Sequence, residues 1–132
     1  MIKFCLDTDV IIEYLRGDNI IVEKVKKILD ESFPYITTIT LCELFLGAYL
    51  TKHPETEIKK IETIINNSFI VTLDKNSSKI FGAKNKELLD KGRSAEASDL
   101  MISSICIINN LTLVTRNKKH FENISELKAE FW

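Results

Sequence analysis

The chain reads as an α/β protein, a three-layer α/β/α sandwich around a central, mainly parallel sheet. Two observations predict this. Short β-branched runs alternate with helix-length amphipathic segments along the whole chain, which is the pattern of parallel β–α–β units. Two further helix-length segments, Leu41–Leu50 and Ala97–Ile108, are apolar on most sides and should be deeply buried.

The elements follow in order. Ile2–Leu6 reads as a short buried strand, and the amphipathic stretch Val10–Leu15 as a helix stopping at Gly17. A second helix fits Ile20–Glu31, with Val22, Val25, Ile28 and Leu29 on one stripe. Pro34 separates it from a strand over Tyr35–Thr38, and the apolar helix Leu41–Leu50 comes next. Pro54 suits the first turn of a helix carrying Ile58, Ile61, Ile64 and Ile65. Phe69–Leu73 is strand-like, Ser77–Asp90 a helix closing before Gly92, and Ala97–Ile108 the second apolar helix. Asn109-Asn110 turns the chain into the strand Leu111–Thr115. A short helix and strand fit between Phe121 and Phe131. With no repeat or linker in 132 residues, residues 1–132 form one domain.

Composition narrows the class. An apolar fraction of 45% with 28% charged residues is that of a globular protein. No apolar run nears the ~18 residues of a membrane helix, so no membrane association is expected. Met1–Asp7 is too short an apolar stretch for a signal peptide, and a cytoplasmic location follows as the expectation. Cys5, Cys42 and Cys106 are odd in number and sit among apolar neighbours, so they read as buried reduced thiols. The two histidines, His53 and His120, give no histidine-rich metal site. A net charge of −1 neither demands nor forbids a nucleic-acid substrate.

In a parallel sheet, ligands bind beyond the carboxyl ends of the strands, and acids stand there. Asp7 directly follows the first strand, in Leu6-Asp7-Thr8-Asp9-Val10. A helix N-cap accounts for one of these polar residues and leaves the other acid idle. Glu43 is enclosed by Leu41, Cys42, Leu44, Phe45 and Leu46. It is either a capping-box partner of Thr40 or a functional carboxylate. Asp99 opens the second apolar helix, and Glu96 three residues earlier shares its face; an N-cap is again the plain alternative. Two carboxylates at about 4 Å repel by about 4 kcal/mol at an effective dielectric of about 20. Three together would oppose folding by on the order of 10 kcal/mol, as much as a domain's whole stability. If the three meet, a hard cation is the natural remedy, and oxygen-only ligands suit Mg²⁺ or Mn²⁺. Beyond the strand Leu111–Val114 stand Thr115, Arg116, Asn117, Lys118, Lys119 and His120. Asn117 offers a neutral oxygen there, Arg116 a phosphate contact, and Lys118 and Lys119 read as a solvated basic turn.

These segments resemble PIN-domain ribonucleases. The resemblance rests on Leu6-Asp7-Thr8-Asp9-Val10, Thr40-x-x-Glu43-Leu44-x-x-Gly47, Ser98-Asp99-Leu100-x-Ile102 and Leu113-Val114-Thr115-Arg116-Asn117, in that order over nearly the full chain. Chain length and the closing Phe121…Trp132 segment look like the VapC-type toxins. The resemblance implies a metal-dependent endoribonuclease in which Asp7, Glu43 and Asp99 bind Mg²⁺ or Mn²⁺. It puts the family's fourth acidic position on Asn117, with Asp9, Glu96 and Thr115 as supporting neighbours. It also implies an RNA substrate, a small antitoxin protein as partner and a homodimer, with Arg116 and Arg93 as candidate contacts to RNA or antitoxin.

Other readings exist for the same acids. Asp7-Thr8-Asp9-Val10 fits the D-x-D-x part of the D-x-D-x-[TV] motif of haloacid-dehalogenase-like phosphatases, with Asp7 as nucleophile. No Gly-Asp or Asp-Asp pair follows position 50 to complete it. A receiver-type signalling domain would use Asp7, Asp9 and Asp74, and wants a lysine where Arg116 stands. A catalytically dead PIN adaptor would not need the full acidic trio.

Overall fold

The computed structural model describes residues 1–132, and its elements alternate as the sequence predicts. They are β1 (Phe4–Leu6), α1 (Thr8–Arg16), α2 (Asn19–Glu31), β2 (Tyr35–Thr37), α3 (Thr38–Tyr49) and α4 (Pro54–Ile65). Then come β3 (Phe69–Val71), α5 (Lys75–Asp90), α6 (Ala97–Ile108), β4 (Thr112–Thr115), α7 (Lys118–Phe121) and β5 (Lys128–Phe131). The strands form one five-stranded sheet in the order β3-β2-β1-β4-β5, and every pairing is parallel. β1 is therefore central, with β4 in register beside it, Leu6 opposite Val114.

Side chains alternate across each strand, so one strand feeds two cores. Leu6 and Val114 join Val10, Ile11, Ile21, Val25, Ile36 and Ile61 under α1 to α4. Cys5 and Leu113 join Leu88, Leu100, Ile102, Cys106 and Phe121 under α5 to α7. Two helical layers thus sandwich the sheet. Local signals act where expected: Gly17 ends α1 at φ 86°, a left-handed turn that an L side chain resists. Pro54 opens α4. Helix α5 begins two residues before the expected Ser77, because Asp74 and Ser77 close a capping box. The last short helix starts at Lys118 and ends at Phe121 instead of starting there.

Two expectations fail together. Helix α3 is not deeply buried: Thr40, Leu44 and Ala48 face inward, but Leu46, Tyr49 and Leu50 are 62%, 66% and 78% exposed. Cys42 is an exposed free thiol on that same outward stripe, whereas Cys5 and Cys106 are buried. Apolar composition reports which residues avoid water, not whether this chain supplies their cover.

Candidate active site

The site lies where the carboxyl ends of β1 and β4 meet the N-terminal halves of α1, α3 and α6. Asp7 continues β1, its amide donating to the Val114 carbonyl at 2.9 Å. It occupies the N-cap position of α1 but makes no side-chain cap bond. Its carboxylate instead accepts the Thr115 hydroxyl at 2.7 Å, and the residue is only 4% exposed. Asp9, one half-turn on, accepts the Arg116 backbone N–H at 3.1 Å. Its other oxygen, Oδ1, is buried with no hydrogen-bond partner. Neither acid is absorbed by capping.

Glu43 is not a capping-box partner either. Thr37 caps α3 by accepting the Thr40 N–H at 3.1 Å, which leaves Glu43 free to accept the Thr8 hydroxyl at 2.7 Å. Thr8 and Thr40 lie 3.2 Å apart between their hydroxyls, tying α1 to α3. In α6, Glu96 holds the N-cap position without a side-chain cap bond, and Asp99 sits in the first turn. Asp99 Oδ2 lies 2.9 Å from His120 Nδ1. Asn117 is exposed at the rim, its backbone N–H donating to Thr115 Oγ1 at 3.1 Å.

Electrostatics links these groups. Burial pushes the Asp7 carboxyl up to about 7, against the relief given by Thr115, with the Asp9 and Asp99 charges pushing further. Burial also raises Asp9, partly offset by the Arg116 backbone. Asp99 is raised by burial, eased by His120 and pushed by the charges of Glu96 and Glu43. Asp7, Asp9, Glu43, Glu96 and Asp99 therefore share one field. No lysine or arginine forms an ion pair with these acids; His120 contacts Asp99, and the Arg116 charge eases Asp9 from farther off.

Asp7 is buried, Asp9 and Asp99 are half-buried, and Glu43 and Glu96 are exposed at the mouth; carboxylates gathered in this way fit a hard divalent cation. No three acids, histidines or cysteines already stand close enough to enclose one. A closed cage is not required: Mg²⁺ keeps several waters and is commonly held by one or two carboxylates together with substrate phosphate. The donor chemistry and the unpartnered Asp9 Oδ1 fit the ion.

The sequence-predicted residues divide by position. Asp7, Asp9, Thr115 and the Arg116 backbone form one bonded group, Glu43 joins it through Thr8 and Thr40, and Asp99 and Glu96 stand across from them. Arg93 is exposed on the α5–α6 connection and donates to Asn123 at 3.1 Å, outside the acidic group. The contacts of His120 with Asp99 and of Thr8 with Glu43 are ones that sequence reasoning does not single out, and Thr40, read as a capping-box partner of Glu43, bonds with Thr8 and Thr37 instead. His120 sits in the same strand-end cluster as Asn117, a signal that separates it from any surface histidine. Asp74 is occupied by its cap with Ser77 at the end of edge strand β3, which removes the phosphoacceptor of a receiver domain.

Comparison with known proteins agrees with this layout. A match to the PIN domain spans residues 4–127. The chain belongs to the PIN-domain family. This PIN domain is 29% identical over 132 residues to a tRNA(fMet)-specific endonuclease VapC of Shigella flexneri, covering 100% of this chain and 99% of the relative. It is 30% identical over 134 residues to the protein of the same description in Salmonella typhimurium, covering 100% and 99%. Its fold overlays the crystal structure of VapBC2 from Rickettsia felis, bound to a DNA fragment from their promoter, with a TM-score of 0.91 and 27% identity, covering 100% of this chain and 99% of that one. The phosphatase and receiver readings are thereby not favoured.

Proposed function

We propose that this PIN domain is a VapC-type endoribonuclease, dependent on Mg²⁺ or Mn²⁺, and the toxin partner of a small antitoxin protein. The carrying observation is the acidic crevice at the end of β1. Asp7 is nearly sealed from water, with its proton affinity raised to about 7, and no lysine or arginine stands within ion-pair distance of it or its acidic neighbours. A fold tolerates such a group where function needs it. The names of the relatives, endonuclease VapC, support RNA as substrate, and the VapBC assembly of a structural neighbour supports the partner.

Asp7, Glu43 and Asp99 would hold the ion, which when bound neutralises charge on the phosphate and makes a water acidic enough to attack it. The chain's own residues prepare for this. Thr115 fixes the Asp7 carboxylate, and Thr8 fixes Glu43, so neither turns away from the crevice. Asp9 anchors the β4–α7 turn through the Arg116 N–H and keeps Oδ1 free to hold a water, a role Glu96 shares at the outer side. Asn117 supplies a neutral oxygen at the rim. Arg116 and, farther out, Arg93 are assigned to phosphates or to an acidic stretch of the antitoxin. The exposed Leu46, Tyr49 and Leu50 stripe of α3 is where we place the contact of a homodimer.

The test is cleavage of structured and single-stranded RNA by the purified protein with Mg²⁺ or Mn²⁺. Cleavage should stop in chelator and fall by at least about a hundredfold in Asp99→Asn, whose fold is kept. Cleavage that persists in chelator, or full activity of Asp99→Asn, overturns the proposal.

A further inference from the structure

Among the acids of the crevice, Asp99 alone touches a basic side chain. His120 Nδ1 lies 2.9 Å from its Oδ2, and the segments that carry the two residues are both anchored. The Asp99 side chain is 14% exposed on the first turn of the buried helix α6. His120 rides on α7, between its own backbone bond to the Asn117 carbonyl at 3.0 Å and the 1% exposed Phe121 in the second core. The segment after α7 is pinned in turn, with Lys84 Nζ 2.9 Å from Ser125 Oγ and 2.6 Å from Glu126 Oε1. The His120 side chain is itself 46% exposed, so the backbone of α7 and the contact with Asp99, not burial, set its place.

We infer that His120 is a positioning residue for Asp99: by donating from Nδ1 to Oδ2 it fixes the carboxylate's rotation, so that Oδ1 is the oxygen presented to the ion. This rests on the nuclease reading and adds a residue to it. Without the bond, Asp99 is free to turn and is repelled by the Glu43 and Glu96 charges that act on it. Nothing in the role requires a change of charge, since Nδ1–H is available in the neutral ring as well as the protonated one. Outer partners that orient a ligating carboxylate commonly govern metal affinity by 10- to 100-fold. The ring and Asp99 also line, with Ser94, Ala95, Glu96 and Lys119, a solvent-facing cavity of about 270 Å³. That placement raises the rival possibility that the ring touches RNA, which the experiment separates.

Mn²⁺ binding to the RNA-free protein is measured by titration calorimetry for wild type, His120→Ala and His120→Asn. Cleavage is followed in parallel as a function of Mn²⁺. Positioning predicts about tenfold weaker Mn²⁺ binding in His120→Ala, an equal rise in the Mn²⁺ needed for half-maximal cleavage, and recovery in His120→Asn, whose amide still donates. Unchanged Mn²⁺ affinity in a folded His120→Ala, including the case where only KM for RNA rises, overturns the role while leaving the nuclease reading intact. If His120→Ala does not fold, His120→Asn and His120→Phe decide: equal Mn²⁺ affinity in both overturns the role. A wild type that binds Mn²⁺ but cuts no RNA overturns the nuclease reading and leaves the positioning test in force. A wild type that does not bind Mn²⁺ overturns both.

Discussion

Replacing Asp7 by asparagine should make the metal-free protein more stable, by an amount that grows with pH. Between the carboxyl's ordinary 3.8 and its folded value of about 7, the native state holds a proton that the unfolded chain has released. Stability therefore falls as pH rises through that window and is flat above it. Ionising Asp7 in place at pH 8 costs the fold about 4 kcal/mol by this difference. Local relaxation and water entry reduce that to about 2 kcal/mol. Asparagine has the same shape, still accepts the Thr115 hydroxyl and carries no charge. In chelator, urea unfolding should show Asp7→Asn ahead by little at pH 4 and by about 2 kcal/mol at pH 8, roughly 8 °C in melting temperature. Asp9 and Asp99, also raised by burial, add a pH trend of the same sign to both proteins, and because their charges repel that of Asp7, its removal widens the difference in the same direction. Saturating Mn²⁺ should reverse the order, since a ligand at a hundredfold its Kd stabilises wild type by about 2.7 kcal/mol and Asp7→Asn much less. A stability difference that stays level from pH 4 to pH 8 would refute the reasoning.

Two further substitutions probe the supports. Thr115→Val removes the hydroxyl that bonds Asp7 and receives the Asn117 N–H. It should destabilise the protein by about 1–3 kcal/mol and push the Asp7 carboxyl higher still, seen as a pH-dependent loss extending above pH 7, with Thr115→Ser close to wild type. Lys84→Ala removes the ammonium that bonds Ser125 and Glu126, leaving Ser125 only its bond to Glu87. We expect about 1–3 kcal/mol lost and faster amide exchange confined to residues 122–127, measured by hydrogen exchange at neutral pH.

Much of the architecture is legible from periodicity because each strand and helix announces itself locally. The alternation of β-branched runs with amphipathic segments suffices for a parallel sheet, and a parallel sheet places Asp7 beside Thr115 although 108 residues separate them. Cap chemistry is where local reading stays undecided. Asp7 and Asp99 look like N-caps, and only packing shows that Asp7 turns to Thr115 and Asp99 to His120. Glu43 has capping-box spacing with Thr40, yet Thr37 takes the cap. The outward face of α3 is illegible for another reason: Leu46, Tyr49 and Leu50 repel water equally whether cover comes from this chain or from another molecule. The pairing of Asp99 with His120 depends on how α7 docks on α6, and no pattern within either segment encodes that docking.

The central place of β1 has a consequence for synthesis. Its neighbour β4 is drawn from the last fifth of the chain; Thr115 at its end holds Asp7, and the turn just after it holds Asp9. A ribosome that has delivered the first hundred residues has made every acid of the crevice but not the brace that sets them. On the nuclease reading, a nascent fragment has no finished blade, and cutting power arrives only when translation is almost complete.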